Sequence, residues 1–303
     1  MTEDLLPSWR DGSARTALVE FLDASSELPP EQRLAVFDND GTLWCEKPRY
    51  PQIDFFVWEL RRAVGEREEL REVPEYAAVL DGDQAEMGRM GLERVAVALL
   101  GLFKGWEPHA FDSRVRAFFD ETRHPDIGLR YDQLVYQPML ELLSALQARG
   151  FTNSIVTGGG TEFVRAISRG LYGVEPERVV GTLVTYEVLD REGRPVLVRT
   201  DKPQGQLNEG NAKISNLQVG LGRTPVLAAG NSPGDAAMLE YTNSLDGPSL
   251  ALLVNHDDAE REFAYESVAG SFEAAERVED TAARLGWTQV SMRNDWATVF
   301  PQL

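Results

Sequence analysis

The run Leu34-Ala35-Val36-Phe37-Asp38-Asn39-Asp40-Gly41-Thr42 constrains the fold more than any other stretch of this chain. Four consecutive apolar residues are too few for a helix and read as a buried strand, and they run directly into two carboxylates and a glycine. Asp38 and Asp40 therefore sit at the carboxyl end of a central strand, the edge at which open α/β sheets bind ligands. Residues two apart in an extended chain share a side, so both carboxylates face one pocket while Asn39 points away. Two like charges this close need a cation between them or a proton on one of them. The first arrangement points to Mg²⁺ on oxygen ligands, the second to a general acid beside a nucleophile, and one site can use both in turn. A plain acidic turn has the same composition, since Asp, Asn and Gly are ordinary turn residues.

Around this strand the pattern alternates between helix and strand. Residues 13–24 place apolar groups at helical spacing and precede it. After Thr42, helix-like stretches at residues 53–64, 85–103 and 111–123 are separated by Pro- or Gly-containing joints. About ninety mostly helical residues between two core strands exceed an ordinary connection, so residues 47–136 read as an inserted small domain, placed as a lid. Residues 1–46 and 137–303 then form the α/β core. A helix is expected at residues 139–149 and a strand at 152–156, followed by Thr157-Gly158-Gly159-Gly160 and a helix at 161–168. A hydroxyl and glycines between a strand end and a helix start offer free N–H groups and a positive dipole end to a phosphate, although a plain βα turn looks the same. Residues 179–188 and 195–198 read as a hairpin turning at Asp190-Arg191-Glu192-Gly193. Lys213 opens an amphipathic segment at 212–220. A strand at 225–229 leads into Gly230-Asn231-Ser232-Pro233-Gly234-Asp235 and a helix at 236–241, and 250–254 is one more strand. The tail, 271–303, offers a helix and a short strand near 288–290, without visible chemistry.

Composition excludes several classes. With 303 residues and 43% hydrophobic content the chain can build a large core. The longest apolar run, residues 95–103, is about half a membrane span. The amino terminus, Met1-Thr2-Glu3-Asp4-Leu5-Leu6-Pro7, lacks the basic start and apolar core of a secretion signal, so a cytoplasmic location is expected. Cys45 is the only cysteine, which rules out an internal disulfide and a Cys-rich zinc site, and it reads as structural. A formal net charge of −19 argues against nucleic acid or an anionic membrane as partner, and any phosphate pocket must supply its own positive charge. His109, His124 and His256 show no ligand spacing and read as structural or surface residues. The acidic runs at 66–69 and 257–262 read as solvated helix faces. Oligomeric state is open.

Three strand ends thus carry an Asp pair, a hydroxyl with glycines, and an Asn/Asp pair, with a lysine between the last two. Together Phe37-Asp38-Asn39-Asp40-Gly41-Thr42, Ile155-Val156-Thr157-Gly158-Gly159-Gly160, Lys213 and Gly230-Asn231-Ser232-Pro233-Gly234-Asp235 resemble the motifs of the haloacid dehalogenase superfamily, in its phosphoserine-phosphatase-like branch. The resemblance implies a Rossmann-like parallel sheet core with an inserted, mostly helical cap. It implies that Asp38 takes the phosphoryl group of a small phosphorylated metabolite as an aspartyl phosphate, while Asp40 serves as acid and then base. Thr157 and the Gly158 N–H would hold phosphate oxygens, and Lys213 would neutralise charge, with Lys202 as its rival for that role. Mg²⁺ would be held by Asp38, the Asp40 carbonyl, Asn231 and Asp235. Asn231 departs from the pattern, because an acidic residue is usual there, so a weaker metal site is expected. Glu46 resembles the carboxylate that contacts substrate amino groups in phosphoserine phosphatases; a solvated loop glutamate is its alternative. Trp44 and Tyr50 read as entrance or packing residues. The expected activity is a Mg²⁺-dependent phosphatase, with a phosphotransferase or a catalytically weakened phosphate-binding protein as alternatives.

Overall fold

A computed structural model describes residues 5–270 and 272–301. Parts of the amino terminus and tail read above, residues 1–4, 271 and 302–303, lie outside the described residues. β1 (Leu34–Phe37) is buried along its whole length. Ala35 and Phe37 enter one core and Leu34 and Val36 the other, which is why a strand covered on both faces reads as an unbroken apolar run. It pairs in parallel with β2 (Thr152–Gly160) on one side and with β5 (Leu227–Gly230) on the other. Beyond β2 lie β3 (Val179–Arg191), parallel to it, and the antiparallel β4 (Arg194–Gln204). Beyond β5 lie β6 (Leu250–Asn255) and β7 (Thr288–Ser291), both parallel. The described residues therefore form one sheet in the order β4-β3-β2-β1-β5-β6-β7. β2 to β4 lie on one side of β1 and β5 to β7 on the other, so its carboxyl end is a topological switch point where loops diverge around a crevice.

α1 (Ser13–Ala24) precedes β1, and between β1 and β2 come α2 (Pro51–Glu66), α3 (Pro74–Asp81), α4 (Gln84–Met90), α5 (Leu92–Gly101), α6 (Pro108–Glu121) and α7 (Gln137–Ala148). Proline opens α2, α3 and α6, where its missing N–H has no intrahelical partner to lose. The single helix expected at 85–103 is two, because Gly91 takes φ 91° and ends the first. α3 was not expected; its eight residues are shorter than the window in which helical periodicity shows. After β2 come α8 (Thr161–Tyr172), α9 (Asn211–Leu221), α10 (Ala236–Asn243) and α11 (Val278–Leu285). One face of the sheet is covered by α1, α7 and α8 through Leu18, Leu142 and Phe163, the other by α9, α10 and α11 through Leu217, Met238 and Ala282.

The insertion is welded to the core by aromatic rings. The Phe55 centroid on α2 lies 5.5 Å from Phe103, 5.8 Å from Phe118 on α6 and 5.5 Å from Phe163 on α8. Phe119 lies 6.0 Å from Phe163 and stacks on Trp44 at 5.9 Å. These residues belong to one hydrophobic cluster that continues under the sheet, so the insertion has no separate core. Among the described residues no helix is long and apolar enough to cross a membrane.

Candidate active site

Three loops bring charge to the switch point. Asp38 follows β1, Lys213 lies in the first turn of α9, and Asp235 closes the loop after β5; all three are buried. Lys213 Nζ donates to Asp38 Oδ1 at 2.6 Å, to Asp235 Oδ1 at 2.5 Å and to the Val156 carbonyl at 2.8 Å, which uses all three ammonium protons. Asp235 Oδ2 accepts from the N–H groups of Asn231 and Ser232, both at 3.0 Å, so the loop curls around its own carboxylate. Burial first, and Asp235 second, raise the Asp38 carboxyl well above its ordinary value, against the pull of Lys213. Burial alone would lower the Lys213 ammonium, but Asp235 and Asp38 more than offset it and hold it above the usual range. The rival Lys202 is exposed on β4.

Asp40 is half-buried and accepts from the Trp44 indole N–H at 2.9 Å. Burial, opposed by that hydrogen bond and reinforced by Glu46, raises its carboxyl to about 7. Trp44 is thus packing, as expected, and also the donor that orients Asp40. Asn231 Nδ2 has Glu46 Oε1 and Ser267 Oγ at 3.3 Å and His256 Nε2 at 3.4 Å, while Thr42 Oγ1 lies 3.5 Å from Oδ1. Glu46 is 5% exposed, which removes the reading of a solvated loop residue. Gly41 packs beneath this amide with φ 76°, and a Cβ there would lie 2.0 Å from Asn231 Nδ2. Gly41→Ala is therefore expected to cost about 1–2 kcal/mol from the left-handed backbone alone, and more from displacing Asn231. Urea unfolding checks this, and an unchanged midpoint would refute the close approach.

The segment at 257–262 corrects an expectation. It is not a solvated helix face: Asp258 and Glu262 are buried, and Arg261 pairs with Asp258. Glu262 receives the Tyr136 hydroxyl at 3.0 Å and faces His256 Nδ1 at 3.3 Å. His256 in turn places Nε2 2.8 Å from the Gly41 carbonyl, bracing the loop that carries Asp40. His124 is structural, with Nε2 at 2.6 Å from the Lys47 carbonyl. Cys45 is buried, and burial with nearby Glu262 pushes its thiol up, away from reactivity.

β2 runs on to Gly160, further than expected, because residues 157–159 bulge opposite Gly181 between the Val156–Val180 and Gly160–Thr182 pairings. Thr157 is fully buried, and its hydroxyl accepts the Gly159 N–H at 2.9 Å. The Gly160 N–H donates to Gln52 Oε1 at 2.8 Å, so two of the N–H groups expected to be free already have partners. Gln52 comes from α2, and sequence reading missed it because nothing local links it to a glycine more than a hundred residues on.

Asp38, Asp40, Glu46, Gly158, Lys213, Asn231 and Asp235 line one cavity of about 180 Å³, completed by Tyr50, Gln52 and Ile53 of the insertion side, Glu209, and Val268. Thr157 stands behind this wall. The donors present are hard: two carboxylates, an amide and a carbonyl suit Mg²⁺. Carboxyls raised by burial and by one another mark a cavity with more acid than Lys213 alone balances. Among the described residues no three His, Cys, Asp or Glu side chains are already gathered around one point, since Lys213 Nζ lies between Asp38 and Asp235.

Residues 35–240 match the haloacid dehalogenase-like hydrolase family, and the chain belongs to it. No curated protein matches the sequence. Among solved structures the chain is similar to a protein with unknown function from Bordetella pertussis Tohama I, at 19% identity over 86% of this chain and 98% of that one, TM-score 0.51. A HAD family hydrolase from Salmonella enterica subsp. enterica serovar Typhi aligns at 18% identity over 73% of this chain and 61% of its own, TM-score 0.41. A substrate-bound phosphoserine phosphatase aligns at 16% over 84% and 97%, TM-score 0.39. These likenesses speak to the fold; the chemistry has to come from the site.

Proposed function

We propose that the protein is a Mg²⁺-dependent phosphatase that hydrolyses a small phosphomonoester through an aspartyl phosphate on Asp38. The observation that carries this reading is the Asp38–Lys213–Asp235 bridge, at 2.6 and 2.5 Å, in the same small cavity as Asp40. An Asp38 oxygen attacks phosphorus as the ester P–O bond breaks, and Asp40 gives its proton to the departing alkoxide. Asp40 then takes a proton from water, whose oxygen attacks phosphorus as the bond to Asp38 breaks, releasing inorganic phosphate. A carboxyl held near 7 suits a group that must be an acid in one step and a base in the next. Lys213 stabilises the charge that moves between Asp38 and the phosphoryl group, and the N–H of Gly158, a lining residue of the cavity, would hold a phosphate oxygen.

Asp38, the Asp40 carbonyl, Asn231 and Asp235 would hold Mg²⁺, which when bound adds positive charge beside the phosphoryl oxygens. Asn231 keeps an amide oxygen there, and its NH₂ partners support a working ligand over the weakened, purely binding reading. Residues 47–136 act as the cap, placing Tyr50, Gln52 and Ile53 at the mouth. Phosphate release from an aryl phosphate, with Mg²⁺ and with chelator, tests the activity, and added acceptor alcohols separate hydrolysis from phosphotransfer. Protons and Mg²⁺ compete for the raised Asp38 carboxyl, so calorimetric Mg²⁺ affinity without substrate is expected to weaken as the solution is acidified. A pH-independent affinity would remove Asp38 from the ligand set.

A further inference from the structure

Of the side chains assigned above to Mg²⁺, Asn231 is the uncharged one, and half of its amide is the wrong chemistry for a cation. Turned by half a rotation, it would offer Nδ2, a donor, in place of Oδ1. The two ends are nearly equal in size, so packing does not tell them apart and the choice falls to their hydrogen-bond partners.

Among the described residues four groups meet this buried amide. Thr42 Oγ1 lies 3.5 Å from Oδ1 and Ser267 Oγ 3.3 Å from Nδ2, but a hydroxyl donates and accepts, so each would serve either orientation. His256 Nε2 approaches Nδ2 to 3.4 Å, yet it also stands 2.8 Å from the Gly41 carbonyl. A carbonyl only accepts, so that ring nitrogen donates to it, and a donor beside Nδ2 favours the turned amide. Of the four, the Glu46 carboxylate, with Oε1 3.3 Å from Nδ2, is the acceptor that cannot serve the turned amide. Lys47 Nζ shares that oxygen at 3.9 Å and lies 4.3 Å from the centroid of the Tyr265 ring, so Glu46 has a cation of its own. What sets it apart here is its lack of a donor. Gly41 holds the pair in place: a Cβ there would lie 2.7 Å from Asn231 Cγ and 3.0 Å from Glu46 Cδ, so both side chains pack on the same bare backbone.

Resting on the phosphatase reading and its metal site, we propose that Glu46 is a positioning residue for a metal ligand: it fixes the Asn231 amide with Nδ2 toward itself and leaves Oδ1 to ligate. The same contact accounts for the asparagine. An aspartate would set a second carboxylate against Glu46 at the distance the amide now holds, and like charges so close disfavour each other.

Calorimetric Mg²⁺ binding to the full chain without substrate reads the claim apart from turnover. Glu46→Leu is expected to weaken the affinity about ten- to a hundredfold, the range for losing a group that orients a metal ligand. Glu46→Gln keeps an acceptor oxygen for Nδ2 and is expected to fall closer to wild type. A carboxylate has no wrong end, so Asn231→Asp added to Glu46→Leu is expected to restore affinity. On its own, Asn231→Asp is expected to lower the urea midpoint of chelator-treated protein, a measurement that stands even if Glu46→Leu does not fold. Affinity unchanged by Glu46→Leu, equal losses in the Leu and Gln variants, or an Asn231→Asp midpoint at or above wild type overturns the positioning role while the phosphatase stands. Wild type that takes up no Mg²⁺ overturns both.

Discussion

Asp38→Asn is expected to lower kcat for phosphate release by about 10⁴-fold or more, equivalent to roughly 5 kcal/mol of lost transition-state stabilisation. The amide keeps the size of the carboxyl and an oxygen facing Lys213 Nζ, now 2.6 Å from Asp38 Oδ1, so the loop has reason to hold its shape. It cannot form a stable bond to phosphorus. Circular dichroism and the unfolding midpoint separate a dead site from a misfolded one, and residual activity within tenfold of wild type would end the covalent mechanism.

Lys213→Met is expected to be the most destabilising single change at the site, by about 3–5 kcal/mol, because it leaves Asp38 and Asp235 buried without their cation. pH gives the effect a signature. A carboxyl raised in the folded state contributes stability that is complete below its unfolded pKa and is lost as pH rises through its folded one. Asp38 is already raised, chiefly by burial and then by Asp235, and loss of Lys213 drives it further in that direction. The variant's deficit in urea therefore narrows on acidification and widens as pH rises. A variant as stable as wild type at neutral pH would show that the ion pairs hold nothing together.

Much of this was legible in the sequence wherever local pattern decides structure. The buried strand at 34–37 and the helix at 13–24 appear at the expected residues, since an apolar run and a 3.6-residue period need no distant partner. Asp38, Asp40, Lys213, Asn231 and Asp235 could be assembled because each closes or opens an element whose type was readable. What escaped depends on tertiary contacts. Gln52 matters only because α2 comes down on Gly160, and Glu209 only because three glycine loops meet around it. Glu262 reads as solvated acid until His256 and Tyr136, 126 residues away in the chain, cover it. The split of α4 from α5 hangs on one backbone angle at Gly91.

The ring cluster that joins α2 and α6 to α8 also restricts how the site can breathe. Swinging the helical insertion away as a rigid door would pull Phe55 and Phe119 off Phe163 and wet a continuous apolar seam. Traffic of substrate and product is therefore left to small movements at the rim, where the exposed Tyr50 and Val268 line the cavity.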